Sequence, residues 1–388
     1  MAEMTSRERV WAALNHEEPD RVPLDVGGGG NTTLAVEAYE RLLAYWGLPR
    51  HPPHIMSKVF RLAFLDERTL VRLGSDTRPV RVRSSSQALL PTEEPKTFVD
   101  AWGVTFRKAE YPGGYYWELH RHPLADATVE DLDRYPWPDP LDPALTAGLA
   151  DETSVLRDSP YALVATTGFK SFWEQGYMLR GLEQLLVDLV ANPSFVAALM
   201  EKLLQLNLAG TRRFLEIVGP YVQVFRAADD LATQTGLIMS PETYRAVLKP
   251  VYKRYFDFVH SMTDAKLFFH SCGRVTELID DLVEIGVDIL NPVQVSAMGD
   301  TAQLKARFGS RIAFWGGIDT QDVLPHGTPV DVEREVVRRI RDLGPGGGYV
   351  LASVHNVQPD VPPENLLAMV EAARKHGRYP LAGATSSG

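Results

Sequence analysis

In the C-terminal half of the chain, short apolar runs alternate with longer stretches whose apolar positions recur every three or four residues. The short runs predict strands buried on both faces, and the longer stretches predict amphipathic helices. Strand 161–165 precedes a helix carrying Leu182, Leu185, Leu186, Leu189 and Val190, and strand 221–225 precedes a long helix over 241–260. Strand 265–270 leads to a helix with Val275, Leu278, Ile279, Leu282 and Val283, which Gly286 stops. Strand 287–290 leads to a short helix near 301–308, and strand 311–315 to a helix with Val332, Val336, Val337 and Ile340. Strand 349–352 leads to a helix opened by Pro363. Consecutive strand–helix units of this kind imply parallel strands joined by right-handed crossovers.

The N-terminal half is less regular. Thr5-Ser6-Arg7-Glu8 has the form of a capping box, ahead of a helix with Val10, Trp11 and Leu14 on one face. Residues 21–26 read as a short strand running into Gly27–Gly30, a flexible turn without the fingerprint of a dinucleotide or phosphate loop. Alternation through Trp102, Val104 and Phe106, then Tyr115, Trp117 and Leu119, predicts a hairpin about Pro112-Gly113-Gly114. The stretch 126–143, rich in Asp and Pro, reads as a surface connection. A doubly wound open sheet would also accommodate such units. A strand count approaching eight and the missing nucleotide fingerprint favour an α/β fold of the (β/α)8 TIM-barrel type. The expected organisation is one barrel domain over 1–380, elaborated at about 50–150, with a disordered tail at 381–388.

Charge and composition narrow the classes of function. With 40 basic and 50 acidic side chains and a net charge of −10, non-specific nucleic-acid binding is disfavoured. No run approaches the roughly 18 apolar residues of a membrane span, and the N-terminus lacks an apolar signal core. The expectation is a cytoplasmic protein acting on a small-molecule substrate. The single cysteine, Cys272, excludes an intrachain disulfide framework.

Active sites of such barrels lie at the C-terminal ends of the strands. That rule selects Asp25, Thr166-Thr167, Asp229-Asp230, His270, Cys272, Asn291, Gln294, Asp319, His355 and Asn356. His270-x-Cys272 is the sharpest element, because imidazole and thiolate two residues apart can both turn toward one zinc ion. A buried thiol beside a hydrogen-bonded histidine would leave the same spacing. His355 fits either a third ligand or an acid–base or substrate-binding group. Asp229 and Asp230 are candidates for proton transfer or for substrate orientation, with a helix cap as the other reading. Asn291, Gln294, Asp319 and Asn356 are candidate substrate-binding groups. Trp102, Tyr115, Tyr116 and Trp117 would form either an aromatic lid or ordinary hairpin packing.

His270-Ser271-Cys272-Gly273, Trp315-Gly316-Gly317-Ile318-Asp319 and Gln358-Pro359-Asp360 through Asn365 resemble the uroporphyrinogen decarboxylase superfamily, as do Thr5–Arg9 and Glu18–Pro23 near the N-terminus. Asp229-Asp230-Leu231-Ala232-Thr233-Gln234 and Ser240-Pro241-Glu242 resemble its methyltransferase-like members. The decarboxylase branch implies metal-free chemistry with an arginine-rich N-terminal motif, in whose place stands Asp25-Val26-Gly27-Gly28. The branch of cobalamin-dependent methyltransferases implies zinc held by a His-x-Cys pair and a later cysteine, with a corrinoid protein as partner. His270 and Cys272 match that pair. The later cysteine is absent, and Ser353-Val354-His355-Asn356 stands before Pro359. Either His355 or a carboxylate takes its place, or the metal is lost. The expectations are thus a zinc-dependent methyltransferase, a metal-free decarboxylase-like lyase, or a non-catalytic corrinoid- or tetrapyrrole-binding barrel.

Overall fold

The computed structural model describes residues 3–49, 54–82, 96–111, 114–169 and 171–381. Seven strands form one parallel sheet, each hydrogen-bonded to the next in chain order: β1 (Thr77–Arg81), β2 (Ala162–Thr166), β3 (Val224–Ala228), β4 (Lys266–His270), β5 (Ile289–Asn291), β6 (Ala313–Ile318) and β7 (Tyr349–Ser353). The segment 23–26 joins the two edges of this curled sheet. Leu24 bridges Leu351 of β7 in parallel, and Asp25 N–H donates to Leu351 O at 2.9 Å. On the other side Leu24 O accepts from the N–H of Asp76, just before β1, at 2.8 Å. The fold is the expected TIM-like α/β architecture, with seven regular staves and one short irregular one.

Two apolar layers hold it. Val164, Val224, Phe268, Ile289, Ala313, Trp315, Val350 and Ala352 fill the inside of the sheet, together with Val10 and Leu14. The last two belong to the first helix, Ser6–Leu14, which Thr5 and Glu8 close with the expected capping box. That helix therefore plugs the N-terminal end of the barrel. Its anchor is the buried Asp76 carboxylate, which accepts from Ser6 Oγ, Arg9, Arg21 and the Leu24 N–H at 2.7–2.8 Å. The polar residues of the N-terminal signature thus tie plug to barrel. The outer layer packs helices against the sheet. Pro193–Val218 buries Phe195, Leu199, Leu203, Phe214 and Val218 at helical spacing, for example.

Three local expectations shift. The helix expected over 241–260 is two helices, Pro241–Val247 and Lys249–Met262, because Pro250 brings no N–H to a continuous ladder. The strand expected at 221–225 runs over Val224–Ala228, which brings Arg226 into the sheet. The stretch 50–150, expected as elaboration, also contains barrel strand β1. Its other part includes the predicted hairpin, Thr105–Tyr111 with Gly114–Arg121, joined by a third antiparallel strand, Thr97–Val99. Pro112 and Gly113 at the hairpin turn lie outside the described residues, as does the tail from 382. Among the described residues, no single helix is long and apolar enough to cross a membrane.

Candidate metal centre

His270 is the last residue of β4, and Ser271-Cys272-Gly273 turns away from it across the barrel mouth. Gly273 has φ +84°, and a Cβ there would stand 2.4 Å from Thr233 O, so only glycine lets the turn lie this close to the loop after β3. Two further bonds fix the turn: Cys272 N–H donates to Asp230 Oδ1 and Gly273 N–H to Gln294 Oε1, both at 2.7 Å. His355 follows β7 and faces the same space, its ring centroid 5.7 Å from that of His270. One donor atom from each of His270, Cys272 and His355 lies within 4.8 Å of the others. Cys272 Sγ is 3.4 Å from His270 Nε2. A tetrahedral zinc ion would need these donors about 3.4–3.6 Å apart. The His–Cys edge already has that length, and a modest approach of His355 completes the triangle.

The imidazole of His270 is held from behind. Asn291 Nδ2 donates to Trp315 O at 2.9 Å, which turns Asn291 Oδ1 toward His270 Nδ1 as acceptor. That bond keeps the proton on Nδ1 and leaves the Nε2 lone pair facing the mouth, the arrangement ligating histidines need. Asn291, expected to touch substrate, is fully buried in this supporting position. On the mouth side Asn31 Nδ2 approaches His270 Nε2 at 3.0 Å, while Asn31 Oδ1 accepts from Arg226.

The two neighbouring aspartates part company. Asp229 is fully buried and its carboxylate accepts five hydrogen bonds: Ser171 Oγ and Glu174 N–H on Oδ1, Phe172 N–H, Trp173 N–H and Tyr252 O–H on Oδ2, at 2.5–2.9 Å. Burial pushes its proton affinity up, and these donors oppose that. It caps the helix Trp173–Arg180 rather than facing the mouth. Asp230 does face the mouth, with Oδ1 3.8 Å from His270 Nε2. Burial raises its pKa, against the Cys272 N–H and the charges of His355 and Arg226.

The remaining candidates divide similarly. Gln294 tethers the Cys272 turn. Asp319 Oδ1 accepts from the N–H groups of Gln321 and Asp322 at 2.6 and 3.2 Å, closing its own loop. Asn356 lines the cavity beside the histidines and receives a bond from Gln358.

That cavity, about 510 Å³, has His270, His355 and Asp230 on one side. Phe106, Trp117 and Leu119 of the three-stranded sheet form an apolar wall, so of the four aromatic candidates for a lid Trp117 lines the cavity. Trp117 stands edge-on to Phe98, and Phe98 stacks on Phe106. Trp102 packs on Trp137 and Phe169 instead. Burial, reinforced by the charges of Asp230 and Glu174, pushes the Cys272 thiol up, and burial pushes His355 down. Both effects favour the uncharged thiol and imidazole. Arg81, Arg226 and Asn31 also line the cavity and were not singled out by the sequence. The available signal was a charged residue inside the otherwise apolar run Val224–Ala228. A groove of about 660 Å³ at the opposite end of the barrel, lined by Arg7, Trp11 and Met262 among others, carries no comparable donor cluster among the described residues.

Residues 118–376 match the family described as Uroporphyrinogen decarboxylase (URO-D). The chain belongs to the uroporphyrinogen decarboxylase family. It is 24% identical over 291 residues to the uroporphyrinogen decarboxylase of Alkalilimnicola ehrlichii, covering 72% of this chain and 73% of that protein. It is 22% identical over 274 residues to the enzyme of that name from Pseudoalteromonas translucida, covering 68% and 73%. The fold matches a solved methyltransferase from Methanosarcina mazei with a TM-score of 0.64 at 19% identity, over 96% of this chain and 99% of that one. The family is one of enzymes, and in this chain the His–Cys–His cluster lies at the strand ends where barrel enzymes carry their chemistry.

Proposed function

We propose that this protein is a methyltransferase that moves a methyl group between the thiol, ether or amine of a small substrate and a corrinoid on a partner protein, using zinc held by His270, Cys272 and His355. The convergence of these three donor atoms within 4.8 Å carries the reading. Two imidazoles and a thiol suit a borderline-soft ion better than magnesium or calcium. The name of the Methanosarcina mazei neighbour supports the same reading. When bound, zinc would act as a Lewis acid that stabilises negative charge on the heteroatom as it parts from the methyl group.

The protein residues supply the rest. Asn291 holds His270 Nδ1–H and so aims Nε2. Asp230, beside the cluster, accepts or returns a proton at the substrate heteroatom. The wall of Phe106, Trp117 and Leu119 excludes water from the reacting bond. Arg226 holds Asn31, whose amide must swing away from His270 Nε2 when that lone pair is used.

A metal-free, decarboxylase-like lyase is the second reading, favoured by the names of the curated relatives. Metal analysis of protein purified without added metal separates the two. The methyltransferase reading expects about one zinc ion per chain in the wild type and its loss in Cys272→Ser, since a hydroxyl is a poor replacement for thiolate. Wild-type protein that holds no transition metal even after soaking with zinc would leave the lyase as the standing reading.

A further inference from the structure

The cavity contains two arginines, Arg81 and Arg226, that lack a direct ion-pair partner among the described residues. Arg81 is the last residue of β1 and pairs in register with Thr166, the last residue of β2. Ala165 pairs with Phe225, so the next row sets Thr166 beside Arg226 of β3. Arg81, Thr166 and Arg226 therefore form one row across three adjacent strands, and all three line the cavity. Strands lie about 4.8 Å apart, so the two arginine Cα atoms stand about 10 Å apart. Two long side chains can close on one group from that spacing. Arg226 is 8% exposed. The Nε atoms of both arginines are buried without a hydrogen-bond partner, and neither arginine forms an ion pair among the described residues. Arg81 is half-buried, and a guanidinium as buried as that of Arg226 ordinarily carries a carboxylate.

We propose that Arg81, Thr166 and Arg226 form an oxyanion cradle, and that the substrate is a small carboxylate whose apolar body lies along Phe106 and Trp117. The part that places its reacting heteroatom at His270, Cys272 and His355 rests on the methyl-transfer reading; the cradle itself does not. Guanidinium forks match a carboxylate with parallel N–H donors, and the Thr166 hydroxyl supplies a third donor between them. The two guanidinium groups favour an anionic group, and the neighbouring carboxylates limit its charge. Glu174 and Asp230 line the same space and would repel a second negative charge on the ligand. A monoanion is accommodated and a dianion is opposed. Burial, together with the proximity of Arg81, lowers the pKa of Arg226 to about 10, and burial alone does the same to Arg81, so both stay protonated at neutral pH. The 510 Å³ cavity holds a molecule with an apolar body of one ring and a short acidic side chain.

The test is calorimetric titration of the full chain with 3-phenylpropionate and with its neutral counterpart, 3-phenylpropanamide. The cradle predicts that the acid binds at least about tenfold more tightly than the amide. Arg81→Met and Arg226→Met should each weaken the acid by about tenfold or more and leave the amide unchanged. Arg226→Lys, which keeps the charge and loses the fork, should fall between Arg226→Met and wild type. Equal binding of acid and amide, no binding of the acid at millimolar concentration, or arginine variants that bind the acid like wild type would overturn the proposal. The two readings fail separately. Wild-type protein that takes up no zinc yet prefers the acid removes the methyl-transfer reading and leaves the cradle. Stoichiometric zinc with no preference for the acid removes the cradle alone.

Discussion

Replacing Arg226 by methionine should make the ligand-free protein more stable. Arg226 is 8% exposed, its Nε lacks a partner, and burial with the charge of Arg81 brings its pKa down to about 10. A base whose pKa falls on folding destabilises the folded state wherever the unfolded chain carries the proton. The penalty is therefore complete below about pH 10 and fades only above it. A fall of that size corresponds to about 3 kcal/mol. The hydrogen bond to Asn31 works in the other direction. Its loss leaves a buried amide oxygen without a donor, at a cost of about 1–2 kcal/mol. Methionine keeps most of the volume, so little cavity opens. The net expectation is a gain of about 1–2 kcal/mol, or about 2 °C in a chain of this length. Thermal unfolding of wild type and Arg226→Met at pH 7 and pH 9, without carboxylates in the buffer, measures it. The increment should be the same at both pH values. A variant that melts several degrees below wild type would refute the reasoning, since the arginine would then be held by interactions that outweigh its burial.

Two further outcomes follow from the same geometry. Asp229→Asn should destabilise the protein by about 2–4 kcal/mol, because an amide cannot accept all five bonds at the start of helix Trp173–Arg180; chemical denaturation reads the loss, and a stability within experimental error of wild type would show that the cap is dispensable. Asn291→Ala should weaken zinc binding about 10–100-fold while leaving the fold intact, as expected when the partner orienting a ligating histidine is removed; competition against a chromogenic chelator measures it, and unchanged affinity would mean that the Nδ1 bond does not aim the ring.

The staves β2 and β4 to β7 were legible because each is a short apolar run followed by a helix, and a strand buried on both faces has little polar alternation to obscure it, whereas β3 lies three residues later than expected because Arg226 interrupts its apolar run. β1 was hidden for chemical reasons. Thr77–Arg81 contains Pro79 and two arginines, and its place at the edge of the seven-strand ladder is where proline is tolerated. Arg78 lies buried against the Tyr161 ring and pairs with Glu67, so a charge that argued against a buried strand is matched across the surface. The His270, Cys272 and His355 cluster was legible from donor type and from the rule that chemistry gathers at strand ends. Asn31 was not, since nothing in a run of glycines followed by asparagine indicates a contact 239 residues away with His270. Asn291, Gln294 and Asp319 were found at the right end of the barrel, but strand-end position does not distinguish a group that touches substrate from one that holds its neighbour in place.

The consecutive residues Asp229 and Asp230 make the same point at closer range. They leave β3 together, and one peptide unit separates a carboxylate saturated with donors from one that faces the cavity. The buried one still bears on the site, because the helix it caps carries Glu174 and Tyr177, and both line the cavity. The Glu174 N–H that Asp229 Oδ1 accepts belongs to the residue whose side chain helps balance Arg226. Loosening the cap would therefore displace an anion from the cavity wall and alter which ligands the cavity accepts. Asp230 acts by direct approach and Asp229 by fixing the wall, so their variants should separate: loss at Asp230 should fall on turnover, and loss at Asp229 on stability and on the balance between acid and neutral ligand. Measuring acid and amide binding in Asp229→Asn, beside its unfolding curve, distinguishes these effects. A variant that is destabilised yet binds both probes like wild type would show that the wall keeps its geometry without the cap.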